Sequence, residues 1–146
     1  MKFSCKVEIN ASINKIVTEL TKVQNMKKWM KGFQYYKLLK GDFFEEESEA
    51  IIMLHIAGKK IEMKEIILEN NLPNSFKSKY ETDGVINYVI NEFEYLEEEK
   101  TCWIQHQEFR FNSLAVKMFS TLVVSIFKTF GKSILTDFKN FVESEN

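Results

Sequence analysis

Asn87 and Asn91 share sequence parity with Phe93, and Gln105 and Gln107 share it with Trp103, within two consecutive stretches of alternating, β-preferring residues. Residues of equal parity on a strand point to the same side of the sheet. If Phe93 and Trp103 face inward, four carboxamides line that face among aromatic rings. Carboxamides donate and accept hydrogen bonds without titrating, so their chemistry is that of orienting a bound molecule. Trp103, Phe109, Phe76 and Tyr80 would supply its apolar contact area. Two other readings stay open: the amides are satisfied by water or backbone groups, or a bulge flips part of the register.

The remaining chemistry-bearing residues are less concentrated. His55 and His106 are the obvious general-base types. Strand parity, however, groups His106 with Glu108 and Arg110, opposite Trp103 and Phe109, and a Gly58-Lys59 turn sets His55 across from Glu62. Both read as outer-face histidines. The runs Glu45-Glu46-Glu47 and Glu97-Glu98-Glu99 flank turns and read as solvated loops. Cys5 and Cys102 show no paired spacing, so neither a metal nor a disulfide scaffold is expected. Phosphate-loop, dinucleotide, nucleophile-elbow and His-Glu-x-x-His motifs are absent, and no cofactor is expected.

The elements that must position the amides follow from periodicity. Phe3, Cys5, Val7 and Ile9 alternate with polar residues, predicting a first strand with one buried face. Ser12 is placed to cap a helix whose apolar face is Ile13, Ile16, Val17, Leu20 and Val23. Asn25 would cap a second short helix with Met26, Trp29, Met30 and Phe33, which reads either as a core cap or as the mouth of a cavity. Strand and hairpin signals then run to Phe111: Ala50–Ala57 and Lys60–Leu68 around Gly58-Lys59, Phe76–Glu81 and Val85–Tyr95 around Asp83-Gly84, and Thr101–Phe111. Asn112 or Ser113 caps a final helix of roughly 30 residues. Its stripe runs through Phe119, Leu122, Val123, Ile126, Phe127, Phe130, Ile134, Phe138 and Phe141, of which the first six are expected to be mostly buried against the sheet.

Composition bounds the function classes. The 146 residues, 45% hydrophobic and 28% charged, suit one domain spanning 1–146. Twenty Lys+Arg against 21 Asp+Glu leave no positive surplus for a phosphate backbone, which argues against nucleic acid as a partner. The apolar stretch around Met118–Phe127 is bounded by Lys117 and Lys128 and is too short for a bilayer span, so no stable membrane insertion is expected. Without a secretory pattern at the N-terminus, a cytoplasmic location is the expectation. Ile86, Tyr88 and Ile90, joined by Cys102 and Ile104, form an apolar row on the outer face that suggests a homodimer.

One strand, two short helices, a run of antiparallel strands and a long C-terminal helix is the order of helix-grip domains. The chain resembles the START-related superfamily of polyketide cyclases, lipid-transfer domains and birch pollen allergens. The resemblance is carried by Val7-Glu8-Ile9-Asn10-Ala11-Ser12, Trp29, Gly84-Val85-Ile86-Asn87, Lys100-Thr101 and Asp137-Phe138-Lys139, and it covers essentially the whole chain. It implies an α+β fold in which a curved antiparallel sheet wraps the C-terminal helix, with a cavity between them opening near the short helices. The resulting expectation is a protein that binds a hydrophobic, amphipathic or lipid-like small molecule. Its candidate contacts are the amides and aromatics above together with Trp29, Phe33, Val123 and Phe127. A cyclase or dehydratase is the alternative, using the cavity amides with Tyr80 or Tyr88 to polarise a carbonyl or move a proton. A protein-interaction module with a filled core is the third reading.

Overall fold

Strand β1 (Lys2–Ile9) leads through α1 (Ile13–Leu20), a single 3-10 turn and α2 (Met26–Trp29) into six more strands. These are β2 (Phe33–Lys40), β3 (Glu49–Ile56), β4 (Lys59–Asn71), β5 (Ser75–Thr82), β6 (Val85–Glu97) and β7 (Lys100–Phe111), followed by α3 (Leu114–Met118) and α4 (Ser120–Ser144). The structure is a computed structural model and describes residues 1–145. Among these, the strands form one antiparallel seven-stranded sheet in the order β1-β7-β6-β5-β4-β3-β2. Register shifts within β2–β3, β4–β5 and β6–β7 mark the bulges by which such a sheet bends. The architecture is the α+β helix-grip fold.

Local chemistry explains most of the boundaries. The Ser12 hydroxyl accepts from Lys15 N–H at 3.2 Å and the Ser113 hydroxyl from Val116 N–H at 3.4 Å, each satisfying a free donor at a helix start. Asn25 does not cap α2 through its side chain. Its amide instead donates to Glu19 O at 3.1 Å and Glu19 Oε2 at 2.8 Å, tying the short-helix segment back to the end of α1. The β3–β4 turn is Ala57-Gly58, both at positive φ, rather than Gly58-Lys59. His55 therefore lies opposite Lys60 and Leu54 opposite Ile61. This slip of two residues leaves every side chain on its expected face.

The C-terminal helix departs further from expectation. It breaks at Phe119, and Phe119 and Leu122 are 63% and 62% exposed. The buried stripe of α4 is Gly131, Leu135, Phe138 and Val142, while Ile126, Phe127 and Phe130 are half-buried against the cluster around Ile52, Leu54 and Met63. Phe138, fully buried, packs edge-on against Trp29 at 5.0 Å and Trp103 at 5.3 Å, joining the short helices, the sheet and α4 in one core. At its C-terminal end, Lys139 Nζ donates to Glu8 O at 2.7 Å and Asn10 N donates to Glu143 Oε1 at 2.9 Å, anchoring α4 to the end of β1.

The outer apolar row has the direction expected of it and charged neighbours on both sides. Ile86, Tyr88 and Ile90 sit between Glu81, Lys79 and Lys77 on one side and Arg110, Glu108 and His106 on the other. The Arg110 guanidinium covers the Tyr88 ring at 4.9 Å, and Cys102 is buried. Charged side chains thus flank the outer apolar row on both sides.

Candidate functional site

The β6–β7 register is unbroken from Val85 to Tyr95, so no bulge interrupts the amide-bearing face. Asn91, Gln105 and Gln107 are all buried there, with Asn91 only 2% exposed. Trp103 Nε1 and Gln105 Nε2 both donate to Asn91 Oδ1, at 2.9 and 3.0 Å. Gln107 Nε2 donates to Gln105 Oε1, and Asn87 Nδ2 donates to Gln107 Oε1 at 2.9 Å. One chain of hydrogen bonds thus links all four amides.

Its direction is fixed by one residue. An indole N–H only donates, so Asn91 must turn its oxygen to Trp103. Gln105 must then offer Asn91 its amide nitrogen, which leaves its oxygen for Gln107, and the same constraint passes to Asn87. Asn87 Oδ1 ends the chain as a buried acceptor without a partner.

Above the ladder, α4 carries glycine where a side chain would intrude. A Cβ on Gly131 would lie 2.7 Å from Gln107 Nε2 and 3.5 Å from Gln105 Oε1. The helix approaches the amides closely at this point because nothing projects from it.

Beside the ladder the sheet and α4 leave a partly open cavity of about 130 Å³. Trp29, Phe76, Tyr80, Asn87, Asn91, Trp103, Gln105, Gln107, Phe109 and Phe127 line it. Phe33 and Val123 do not. Phe33 faces an outer groove beside α2, and Val123 lies one turn of α4 before Phe127, outside the lining. Trp29 and Met30 border both the cavity and that groove, and Trp29 Nε1 is a buried donor without a partner. Tyr88, the other tyrosine considered for chemistry, is on the outer face under Arg110.

Glu65 is the residue that sequence reasoning missed. It lines the cavity, and its strand neighbours of equal parity, Met63 and Ile67, are buried. A glutamate on an otherwise apolar parity was the available signal. Cross-strand pairing sets Ala50, Glu65, Tyr80, Asn87 and Phe109 in one row across β3 to β7. Burial pushes the Glu65 carboxyl up to about 7, opposed by the hydrogen-bonding influence of the Tyr80 hydroxyl beside it. Burial also raises Tyr80 well above the usual phenol range, with the Glu65 charge acting in the same direction. Tyr36 from β2 is raised by burial and then by Glu65.

Other candidates are remote from the cavity. His55 is exposed, and His106 lies on the outer face with its Nδ1 2.7 Å from the Ser4 hydroxyl. Burial raises both the Cys5 and Cys102 thiols, which keeps them protonated and unreactive. Among the described residues no three His, Cys, Asp or Glu side chains gather to hold a metal ion, and no helix is long and apolar enough to cross a membrane.

These features define a helix-grip fold. Solved structures of that kind superimpose over nearly the whole chain. An aromatase/cyclase from a Streptomyces species aligns with a TM-score of 0.85 at 9% identity, covering 98% of this chain and 93% of its own. A START superfamily protein from Mycobacterium smegmatis aligns with a TM-score of 0.73 at 13% identity, covering 96% and 98%. Norcoclaurine synthase from Thalictrum flavum, in complex with dopamine and hydroxybenzaldehyde, aligns with a TM-score of 0.73 at 13% identity, covering 100% and 88%. At the sequence level no family model and no curated protein matches the chain.

Proposed function

We propose that this protein binds a compact hydrophobic or amphipathic small molecule between the sheet and α4, its polar group turned toward the Glu65–Tyr80–Asn87 row. The observation that carries this reading is the cavity itself: about 130 Å³ of space walled by aromatic and aliphatic side chains, with its polar groups gathered on the sheet side. A concave apolar site with few, convergent polar groups is the usual design of a small-molecule site. The volume suits an aromatic or alicyclic body better than a long acyl chain, and it disfavours a core filled by the protein's own side chains. The ligands in the norcoclaurine synthase complex, dopamine and an aromatic aldehyde, are of that compact kind. Native mass spectrometry of the protein purified from its host tests the proposal. A retained small molecule supports it; apoprotein that shows no thermal shift across a library of small aromatics sinks it.

One observation favours catalysis as the second reading. A carboxyl near 7 beside a phenol, in an apolar cavity, has the properties of a general acid–base pair. The similarity to an aromatase/cyclase makes cyclisation or dehydration the class to assay. Turnover abolished in Glu65→Gln with ligand binding retained would establish it.

A further inference from the structure

We infer that the cavity selects a hydrophobic amine, held by its ammonium group against the Glu65 carboxylate, with Asn87 Oδ1, beyond Tyr80 in the same cross-strand row, as a further acceptor. This inference rests on the binding function proposed above and names the ligand class of the same site.

The argument begins with what the wall lacks. Among the described residues Glu65 is the one charged side chain lining the cavity; no lysine, arginine or histidine does. A ligand carboxylate would enter low-dielectric surroundings without a counter-ion and beside a like charge, which is costly. A neutral ligand would leave an ionised Glu65 poorly solvated. An ammonium group supplies the missing charge and up to three donors.

The amide ladder points the same way by an independent route. Its direction, imposed by the Trp103 N–H, ends on an acceptor with no donor, and that acceptor belongs to the residue paired with Tyr80 in the row that contains Glu65. Two acceptors therefore flank the Tyr80 position. Phe109, next in the row, and Phe127, tilted against it with ring centroids 5.9 Å apart, add π faces to the walls. Such faces attract a desolvated cation. Tyr80 is the titratable group that acts on Glu65 from the adjacent strand, while Tyr36 on β2 feels the Glu65 charge in turn, and both phenols stay neutral at physiological pH.

Three probes of one shape test this: phenethylamine, phenethyl alcohol and phenylacetate, titrated calorimetrically into the wild type and Glu65→Gln. At about pH 8, where the carboxyl is ionised, the amine should bind wild type about tenfold or more tightly than the alcohol, and phenylacetate weakest. In Glu65→Gln the amine advantage should vanish, the amine and the alcohol then binding within about twofold of one another. Should that variant fail to fold, the wild type alone decides. Lowering the pH by about two units protonates Glu65 while the amine keeps its charge, and the advantage should shrink accordingly. Equal affinity for amine and alcohol in the wild type overturns the inference but spares the cavity as a binding site. An amine preference that survives Glu65→Gln, or one insensitive to pH, also overturns it. Binding of none of the three removes the binding function and this inference together.

Discussion

Gly131 and Gln107 are in contact across the interface of helix and sheet so closely that a Cβ at position 131 would lie 2.7 Å from Gln107 Nε2. Gln107 holds the middle of the amide ladder, donating to Gln105 and accepting from Asn87. Alanine at position 131 gains about 1 kcal/mol of helix propensity. Displacing Gln107 breaks two buried hydrogen bonds at about 1 to 3 kcal/mol for each group left unpaired. Gly131→Ala should therefore be destabilising by about 1 kcal/mol or more in chemical denaturation. A raised Tm would mean that Gln107 swings aside freely and that the ladder is not rigid.

Asn91 and Trp103 separate the cost of losing an acceptor from that of losing a donor. Asn91→Leu leaves the Trp103 indole and the Gln105 amide without their shared acceptor, whereas Trp103→Phe leaves Asn91 Oδ1 still bonded to Gln105. Asn91→Leu should cost the ladder about 2 to 4 kcal/mol from two orphaned donors. The hydrogen-bond part of Trp103→Phe should be nearer 1 kcal/mol, with lost ring area added to it. Urea titrations of both variants, with unchanged m-values, check the order.

Glu65 sets a pH dependence whose sign is opposite to that of a paired surface carboxylate. Its folded pKa of about 7 lies above the usual glutamate value of 4.5, so the folded state holds a proton that the unfolded chain releases in that interval. Stability from this group is complete below the glutamate value, falls as the pH climbs to about 7 and is level above it. The span corresponds to on the order of 3 kcal/mol. Glu65→Gln should exceed wild type in Tm at about pH 8 and converge with it near pH 4. Parallel curves for the two proteins would contradict a buried carboxyl.

The helix break predicts unequal costs along one stripe of phenylalanines. Phe138→Ala should cost about 3 to 5 kcal/mol, since its ring is fully buried between two tryptophans. Phe119→Ala, at an exposed position, should cost under about 1 kcal/mol. Comparable losses at both would restore the continuous buried helix expected from sequence.

On the outer face, Ile90 is 38% exposed between Lys77 and His106. Ile90→Lys should fold with a stability change within about 1 kcal/mol. Wild type and variant should sediment alike. A concentration-dependent shift in the wild type that the substitution abolishes would establish the interface.

Much of the architecture was legible because strand faces are read by parity, and parity survives errors of turn placement. The shift from Gly58-Lys59 to Ala57-Gly58 moved every β3–β4 pair by two and no side chain across the sheet. The amides were legible for the same reason, with Phe93 and Trp103 as markers of the inner face. Glu65 stood on a readable parity but was passed over because its neighbours Lys64 and Ile66 blur the alternation. The helix break was not legible, because Phe119 and Leu122 continue the apolar period without touching the sheet. Where a helix outruns its cover is set by tertiary geometry. The place of Gly131 was equally hidden, since nothing in its sequence neighbours reveals a close approach to Gln107.

The one-way amide ladder makes polarity at the ligand end an inherited property. Each amide copies the orientation of the one before it, so the sign presented at Asn87 is written by an indole on another strand. Were position 103 to carry a residue whose ring accepts, the whole row could reverse and present an N–H at Asn87 in place of an oxygen. Such a substitution would invert what the site asks of its ligand without altering any residue of the Glu65–Tyr80–Asn87 row. Related chains could thus diverge in preference while the groups facing the ligand stay the same.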